Sequence, residues 1–379
     1  MDFTWTAEQQ DLYTRVAEFV RGNLARPSAA PEGDLPREAW RLCGQLGLLS
    51  LCIAKEQGGL GANALTTAHA MEAFGRECRD MGLVFASAAH LFACVKPIAE
   101  FGSPELRSRT LERLASGEWV GANGITEEEA GSDVHALAAS AVREGDFYVL
   151  NGIKSYVTNG PAADVVLVYA RTNPEFGFLG LSAFAVEKTF PGFTGGEPIR
   201  KAGLQSVPAS SIHLADCRVP ATHRLGAEGQ GSAIFGYSMQ WERACLFAAY
   251  AGMMDRQLDA LVAFARTRRQ FRRAIGKNQA VSHKIADMKL RLEAARLLLY
   301  RACWRIDRGE DARMDVSMAK LAISEAVIES SLNAIHLHGA AGYSVEAGFE
   351  RDLRDAIPSA IFSGTSEMQR EIIAEALGL

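Results

Sequence analysis

The 379-residue sequence predicts an α+β protein in three consecutive parts, helical at both ends with a small β domain between. Apolar residues recur at helical spacing up to about residue 118, and again from about 229 to the end. Between about 119 and 228 they gather instead in short β-rich runs bounded by Gly, Asn and Pro. No long helix alternates with those runs, which argues for antiparallel strands and against a parallel βαβ sheet.

Each element has its own signal. Thr6 can cap Ala7–Arg21, where Leu12, Val16, Phe19 and Val20 share a face. Pro27, Pro31 and Pro36 then break the chain before a helix over Arg37–Leu46. Thr66–Arg76 and Gly82–Phe101 follow, the second apolar nearly all round and therefore expected inside. Strands are expected at Phe147–Leu150, Val165–Ala170, Leu181–Val186 and Ser211–Leu214. Asn151-Gly152, Asn159-Gly160-Pro161 and Pro191-Gly192 read as the turns between them. In Val281–Ile306 the residues Ile285, Met288, Leu292, Ala295, Leu299 and Ala302 follow the three–four rhythm of a bundle helix.

Composition narrows the function. Apolar residues make up 48% and charged residues 22%, as in a soluble globular protein. A formal net charge of −5 argues against nucleic acid as the main partner. The seven cysteines are scattered and never spaced C-x-x-C, so neither a disulfide framework nor a zinc site is expected. No basic start with an apolar run and no uninterrupted apolar stretch of about 18 residues is present, so no membrane span is expected and the reading is cytoplasmic. His336 and His338 lie two apart and would point to different helix faces, so no metal is expected. Gly58-Gly59-Leu60-Gly61 reads as a turn, since no strand leads into it.

Three stretches carry chemistry. Asn123–Asp133 packs hydroxyls, small residues and carboxylates at the entrance to the β region; it reads either as a cradle for a planar ring and phosphates or as an acidic surface turn. Arg266–Arg273 reads as a solvated helix face or, because Phe271 and Ile275-Gly276 suggest a helix end, as guanidiniums gathered to grip a pyrophosphate. Trp241-Glu242-Arg243 opens an apolar helix. Glu242 there is either a desolvated general base or an N-terminal carboxylate favoured by the helix dipole, with Arg243 as counter-ion.

Several long motifs in order resemble the acyl-CoA dehydrogenase family over essentially the whole chain: GITEEEAGSD at 124–133, LNGIKSYVTNG at 150–160, ADCRVPATHRLGAEGQG at 215–231, RRQFRRAIGKNQAV at 268–281 and IFSGTSEMQREIIA at 361–374. The resemblance implies an N-terminal helical domain (1–118), a central antiparallel β-barrel (119–228) and a C-terminal four-helix bundle (229–379), usually assembled as a homotetramer binding FAD. It implies flavin contacts at Ile125, Thr126, Ser132, Tyr156, Val157 and Thr158. Arg268, Phe271, Asn278 and Gln279 match residues on the pyrophosphate and adenine side, often of a neighbouring subunit. Gly339 and Ala340 occupy a usual Gly-Gly pair, and Thr365 and Glu367 match the last cofactor loop. Ser132 also lies near substrate, and Arg243 is expected at the substrate pocket or its pantetheine arm.

Most of the family has a catalytic glutamate where this chain has Ser363, and a serine hydroxyl is too weakly basic to take an α-proton unaided. The isovaleryl-type branch carries its glutamate on another helix, directly before an arginine, and Glu242-Arg243 falls there. Finer similarity, in WERACLFAAYAGMMDRQLD and DMGLVFASAAHLFAC, is to L-prolyl carrier-protein dehydrogenases. That branch oxidises proline, held as a phosphopantetheine thioester on a peptidyl carrier protein, to a pyrrole-2-carboxyl thioester in secondary metabolism. The rival expectations are a short- or branched-chain acyl-CoA dehydrogenase or another carrier-tethered acyl dehydrogenase, and a non-catalytic flavin-binding subunit suggested by Ser363.

Overall fold

The computed structural model describes residues 4–25 and 33–379; Pro27 and Pro31 lie outside them. The first helix, α1 (Ala7–Asn23), starts with a complete capping box: Thr6 accepts from the Gln9 amide while the Gln9 side chain accepts from the Thr6 amide. Pro36 directly precedes α2 (Arg37–Leu46), and Gly47 ends it in the left-handed conformation. Then come α3 (Ala64–Glu77), α4 (Met81–His90), α5 (Lys96–Phe101) and α6 (Pro104–Ser116). A π turn, Leu91–Val95, joins α4 to α5. Pro97 has no N–H to give to a carbonyl four residues back, and the widened turn absorbs that mismatch. Met81–Phe101 is long and apolar enough to cross a membrane, but it is almost wholly buried inside the fold.

Eight strands make the middle layer: β1 (Gly121–Gly124), β2 (Ser140–Glu144), β3 (Phe147–Thr158), β4 (Val165–Arg171), β5 (Leu181–Glu187), β6 (Phe193–Gly195), β7 (Ala209–Pro220) and β8 (Arg224–Leu225). Their order is β6-β7-β3-β2-β4-β5-β8, with β1 added on β4. Most pairings are antiparallel, as expected. Two are not: β1 runs parallel to β4, and Ser140 of β2 meets Arg171 of β4 in parallel. The hydrogen-bonded path runs from β6 to β8, with no ladder joining those two among the described residues.

Asn151-Gly152 is not a turn. It lies inside β3, where the register against β7 shifts between Leu150 and Gly152. Gly152 has φ +146°, and a Cβ there would sit 2.6 Å from that of Ala139, so the glycine serves a bulge rather than a hairpin.

The third part holds α7 (Gly231–Thr267), α8 (Gln279–Asp307), α9 (Arg313–His338), α10 (Phe349–Ala356) and α11 (Ser366–Ala376). The helices α7, α8, α9 and α11 pack together, and α3 lies along α7. Two glycines set that approach: a Cβ on Gly75 would lie 2.0 Å from the Ala249 carbonyl oxygen, and one on Gly252 2.0 Å from that of Glu72. Backbone therefore touches backbone, which fixes α7 in place along its middle.

His90 ties the helical core to β1. Its Nδ1 accepts from the Gly121 amide at 2.8 Å, so Nε2 carries the hydrogen given to the Leu114 carbonyl at 3.1 Å. Burial lowers its pKa from 6.5 to about 3, so the folded protein holds it neutral while the unfolded chain binds a proton below pH 6.5. Stability from this group is therefore full above that pH and falls on acidification by about 1.4 kcal/mol per pH unit. His90→Gln keeps a donor and an acceptor without the proton. Urea unfolding of this variant at successive pH values between 6.5 and 4 should show an acid slope shallower than wild type by about one proton.

Candidate active site

Glu242 sits on α7, which begins at Gly231, about three turns earlier. The expectation that Trp241 opens the helix is corrected here, and with it the helix-dipole reading of Glu242, because that field fades within the first turn. The carboxylate is inside the protein, 7% exposed. Burial pushes its pKa above the ordinary carboxylate range, while a hydrogen bond from Ser363 and the charge of Arg243 pull it back. Arg243 makes no ion pair with Glu242, since neighbouring helix positions point about 100° apart. Its Nε donates instead to the Ser363 carbonyl at 2.7 Å.

The Ser363 hydroxyl donates to Oε1 of Glu242. Ser363 is held at φ +56°, a left-handed conformation uncommon for a residue with a Cβ, and Gly364 follows at φ +87°. This turn ends at Thr365, whose hydroxyl caps α11 by accepting from the Met368 amide at 3.3 Å. Beside it Phe362 packs against Phe85 at 4.5 Å and Phe247 at 5.6 Å between ring centroids. Lys320 of α9 is fully buried with no hydrogen-bond partner among the described residues, its ammonium 5.5 Å from the centre of the Phe247 ring. Burial, with Arg243 adding repulsion, lowers its pKa to about 8.

The Asn123–Asp133 loop is pinned to β3. Thr126 accepts from the Ser155 amide through its carbonyl at 2.8 Å, and the carbonyl of Ile125 accepts from Lys154 Nζ at 3.3 Å. Below them Glu127 is not on an acidic surface. It pairs with the fully buried Lys154 at 2.6 Å and accepts from the amides of Ala138 and Ala139 at 2.7 and 3.0 Å. Burial pushes the Glu127 pKa up, but the lysine and these amides outweigh it, leaving the carboxyl below its ordinary range.

Ile125 and Thr126 are half-buried and Ser132 is exposed. Tyr156 is 70% exposed at φ +53°, and Thr158 is half-buried. Val157 differs: its side chain belongs to the core of the β domain, which leaves only its peptide for a ligand. This ledge offers the bare ring of Tyr156, the hydroxyls of Thr126, Ser132 and Thr158, and the buried amide oxygen of Asn123, which has no hydrogen-bond partner among the described residues. Those features fit a planar heteroaromatic ring with a polar edge.

The remaining candidates lie elsewhere. After α7 ends at Thr267, a tight hairpin pairs Arg269-Gln270 with Arg273-Ala274 and puts Phe271 at its tip, 89% exposed. Arg268 and Gln279 are exposed, and Asn278 is half-buried. Gly339 and Ala340 are exposed at the end of α9, next to His338, whose ring stacks on Phe264 of α7 at 4.3 Å. Along α7 this end lies roughly 37 Å from Glu242 at 1.5 Å per residue. The structure thus gathers Glu242, Arg243 and Thr365 about the Ser363 turn, with exposed Glu367 in the first turn of α11, and Ile125, Thr126, Tyr156 and Thr158 on the ledge. It leaves Arg268, Phe271, Asn278, Gln279, Gly339 and Ala340 at the far end.

Sequence reasoning missed Lys154, Lys320 and the bond made by Ser363. A lysine inside a β-rich run was the available signal for the first.

The domain patterns described as the N-terminal, middle and C-terminal domains of acyl-CoA dehydrogenase match residues 6–118, 122–217 and 229–378. The chain belongs to the acyl-CoA dehydrogenase family. It is 50% identical over 380 positions to an L-prolyl-[peptidyl-carrier protein] dehydrogenase of Pseudomonas fluorescens, covering 100% of both chains. A protein of the same name from a Serratia species is 45% identical over 381 positions, covering 100% of this chain and 99% of its own. Among solved structures, "PigA with FAD and proline" superposes with a TM-score of 0.96 at 44% identity, each chain covered in full.

Lys154→Met leaves Glu127 buried without its cation and should cost about 3–5 kcal/mol. Adding Glu127→Gln, whose single amide oxygen can keep one of the two amide bonds without a buried charge, should recover part of that loss. Urea unfolding of the two single variants and the double variant measures the coupling.

Proposed function

We propose that the protein is an FAD-dependent dehydrogenase that oxidises a prolyl group, held as a thioester on a peptidyl carrier protein, to the pyrrole-2-carboxyl thioester. The observation that carries this reading is Glu242: a buried carboxylate with a raised pKa, on an apolar helix, with a hydroxyl donor and a guanidinium beside it. The names of the relatives and the structure holding FAD and proline support the choice of substrate and cofactor.

FAD, when bound, supplies a two-electron hydride acceptor, so the four-electron change from prolyl to pyrrole needs two turnovers, each followed by reoxidation of the flavin by an external electron acceptor. Ile125, Thr126, Ser132, Tyr156 and Thr158 would hold its ring system on the ledge, with the Val157 peptide beside them. The thioester carbonyl acidifies the adjacent Cα–H, and Glu242 takes that proton. Desolvation raises the proton affinity of Glu242 towards the working pH, where a general base is most effective. Arg243 holds the Ser363 turn and borders the substrate path, and Ser132 lies on the open side where the pantetheine arm arrives. Phe85, Phe247 and Phe362 exclude water around the acyl group, which strengthens each charge interaction there.

The distance along α7 bears on assembly. Arg268, Phe271, Asn278, Gln279, Gly339 and Ala340 are farther from Glu242 than FAD is long, so in this reading they serve the cofactor of a neighbouring copy. Thr365 and Glu367 would contribute at the near end. A homotetramer, as in the wider family, provides that arrangement.

Glu242→Gln should retain yellow flavin yet lose at least about 100-fold in bleaching rate with prolyl-carrier protein. Undiminished bleaching removes Glu242 as base. Because burial raises the folded pKa of Glu242, its stabilising effect is greatest below the unfolded pKa and declines as pH rises through the folded value. The glutamine variant should therefore melt no lower than wild type at pH 8, which separates a catalytic loss from unfolding. Mass spectrometry of the carrier should show four hydrogens lost from prolyl with wild type. Turnover of free acyl-CoAs in preference would instead mark an ordinary short- or branched-chain enzyme.

A further inference from the structure

We infer that Ser363 is a positioning residue for Glu242: its hydroxyl fixes the direction of the buried carboxylate and holds it ready to accept a proton. This rests on Glu242 being the base. The residue does not take the proton itself, and its role lies in the bond it gives.

Three features of the turn converge on that bond. First, the backbone at Ser363 is left-handed at φ +56°, which is strained for a residue with a Cβ and persists only where surroundings enforce it. Second, the surroundings do enforce it. Arg243 Nε holds the Ser363 carbonyl at 2.7 Å, and Gln369 Nε2 holds the Gly364 carbonyl at 3.0 Å. Gly364 admits no larger residue easily, since a Cβ there would stand 3.1 Å from the Arg243 guanidinium and 2.9 Å from Gln369. Third, Ser363 is the one hydrogen-bond donor on the Glu242 carboxylate among the described residues.

The charged and titratable groups that reach Glu242 are few. Arg243 follows it on α7, and Tyr169 of β4 feels its charge. The Tyr169 hydroxyl is buried, held neutral by burial, and has no hydrogen-bond partner among the described residues. Lys320 of α9 acts one step removed, through Arg243. Arg243 spends its Nε donor on the turn rather than on the carboxylate. Direct hydrogen bonding to the charged form therefore falls to Ser363, and such bonds favour ionisation.

Serine here also separates two jobs. The turn supplies orientation, and the α7 helix supplies the base. A hydrogen bond to a charged group is worth about 1.5–3 kcal/mol, enough to move proton affinity by about one pH unit or more.

The test uses FAD-loaded enzyme and two substitutions, Ser363→Ala and Ser363→Gly. Alanine removes the hydroxyl and keeps the backbone strain; glycine removes both. Two readouts are taken: the pH profile of kcat/KM on prolyl-carrier protein, and infrared titration of the Glu242 carboxyl band without substrate, assigned by its loss in Glu242→Gln. Both substitutions should raise the acid limb and the infrared midpoint by about one pH unit, with KM little changed. Profiles and midpoints unchanged from wild type overturn the proposal. So does recovery in the glycine variant of what alanine loses, since that makes the backbone the relevant part. The infrared midpoint needs no turnover, so it can fail while Glu242→Gln still abolishes bleaching; active Glu242→Gln would sink the base assignment instead.

Discussion

A carboxylate inside an apolar helix is the constraint around which the rest of this protein is arranged. Moving an ionised group out of water costs several kcal/mol unless something nearby answers it. At Glu242 the answer is a hydroxyl from a turn far along the chain, steadied by the guanidinium next to the carboxylate itself. That turn is tied to the start of α11 by the Thr365 cap, and α7 is tied to α3 by two glycines where backbones touch. The carboxylate is thus located by packing on one side and by a strained turn on the other.

The same long helix divides the chemistry. Near its first third lie Glu242 and the strained turn; beyond its last residue lies a basic hairpin with a bare phenyl ring at the tip. A rigid element of 37 residues keeps these two sets apart in one chain. The β domain contributes a third set, a ledge whose level is set by the Glu127–Lys154 pair beneath it. A buried pair of this kind adds little net stability, yet it defines where the loop rests.

Much of the fold was legible because local signals agreed with tertiary structure. Thr6 made the start of α1 readable, and the periodic apolar positions of α8 matched its buried face. The strands were harder. Asn-Gly inside β3 carries a hairpin signal, but pairing with β7 continues on both sides, and ladder bonds prevail over a dipeptide preference. The start of α7 was hidden by glycines at Gly231 and Gly236, poor helix formers that tertiary packing overrides. At the site, Glu242 and Arg243 were readable as a pair of residue types at a telling position. The Ser363 bond was not, because it joins residues 121 positions apart. Nor was the Lys154 pair, 27 positions apart, which buries Glu127 as an anchor while Glu128 and Glu129 stay exposed on the acidic surface. Neither contact leaves a trace in periodicity.

The segment Met81–Phe101 has a cost outside the finished molecule. In the folded state its apolar surface is covered partly by α7, which begins only at Gly231. During synthesis, therefore, a 21-residue stretch that could pass for a bilayer segment leaves the ribosome well before its cover exists. The N-terminal helices cannot complete their core alone, and the nascent chain carries a sticky surface through the making of the whole β domain. Demand for a holding chaperone, and aggregation when expression outruns it, follow from that order of events rather than from any weakness of the native fold.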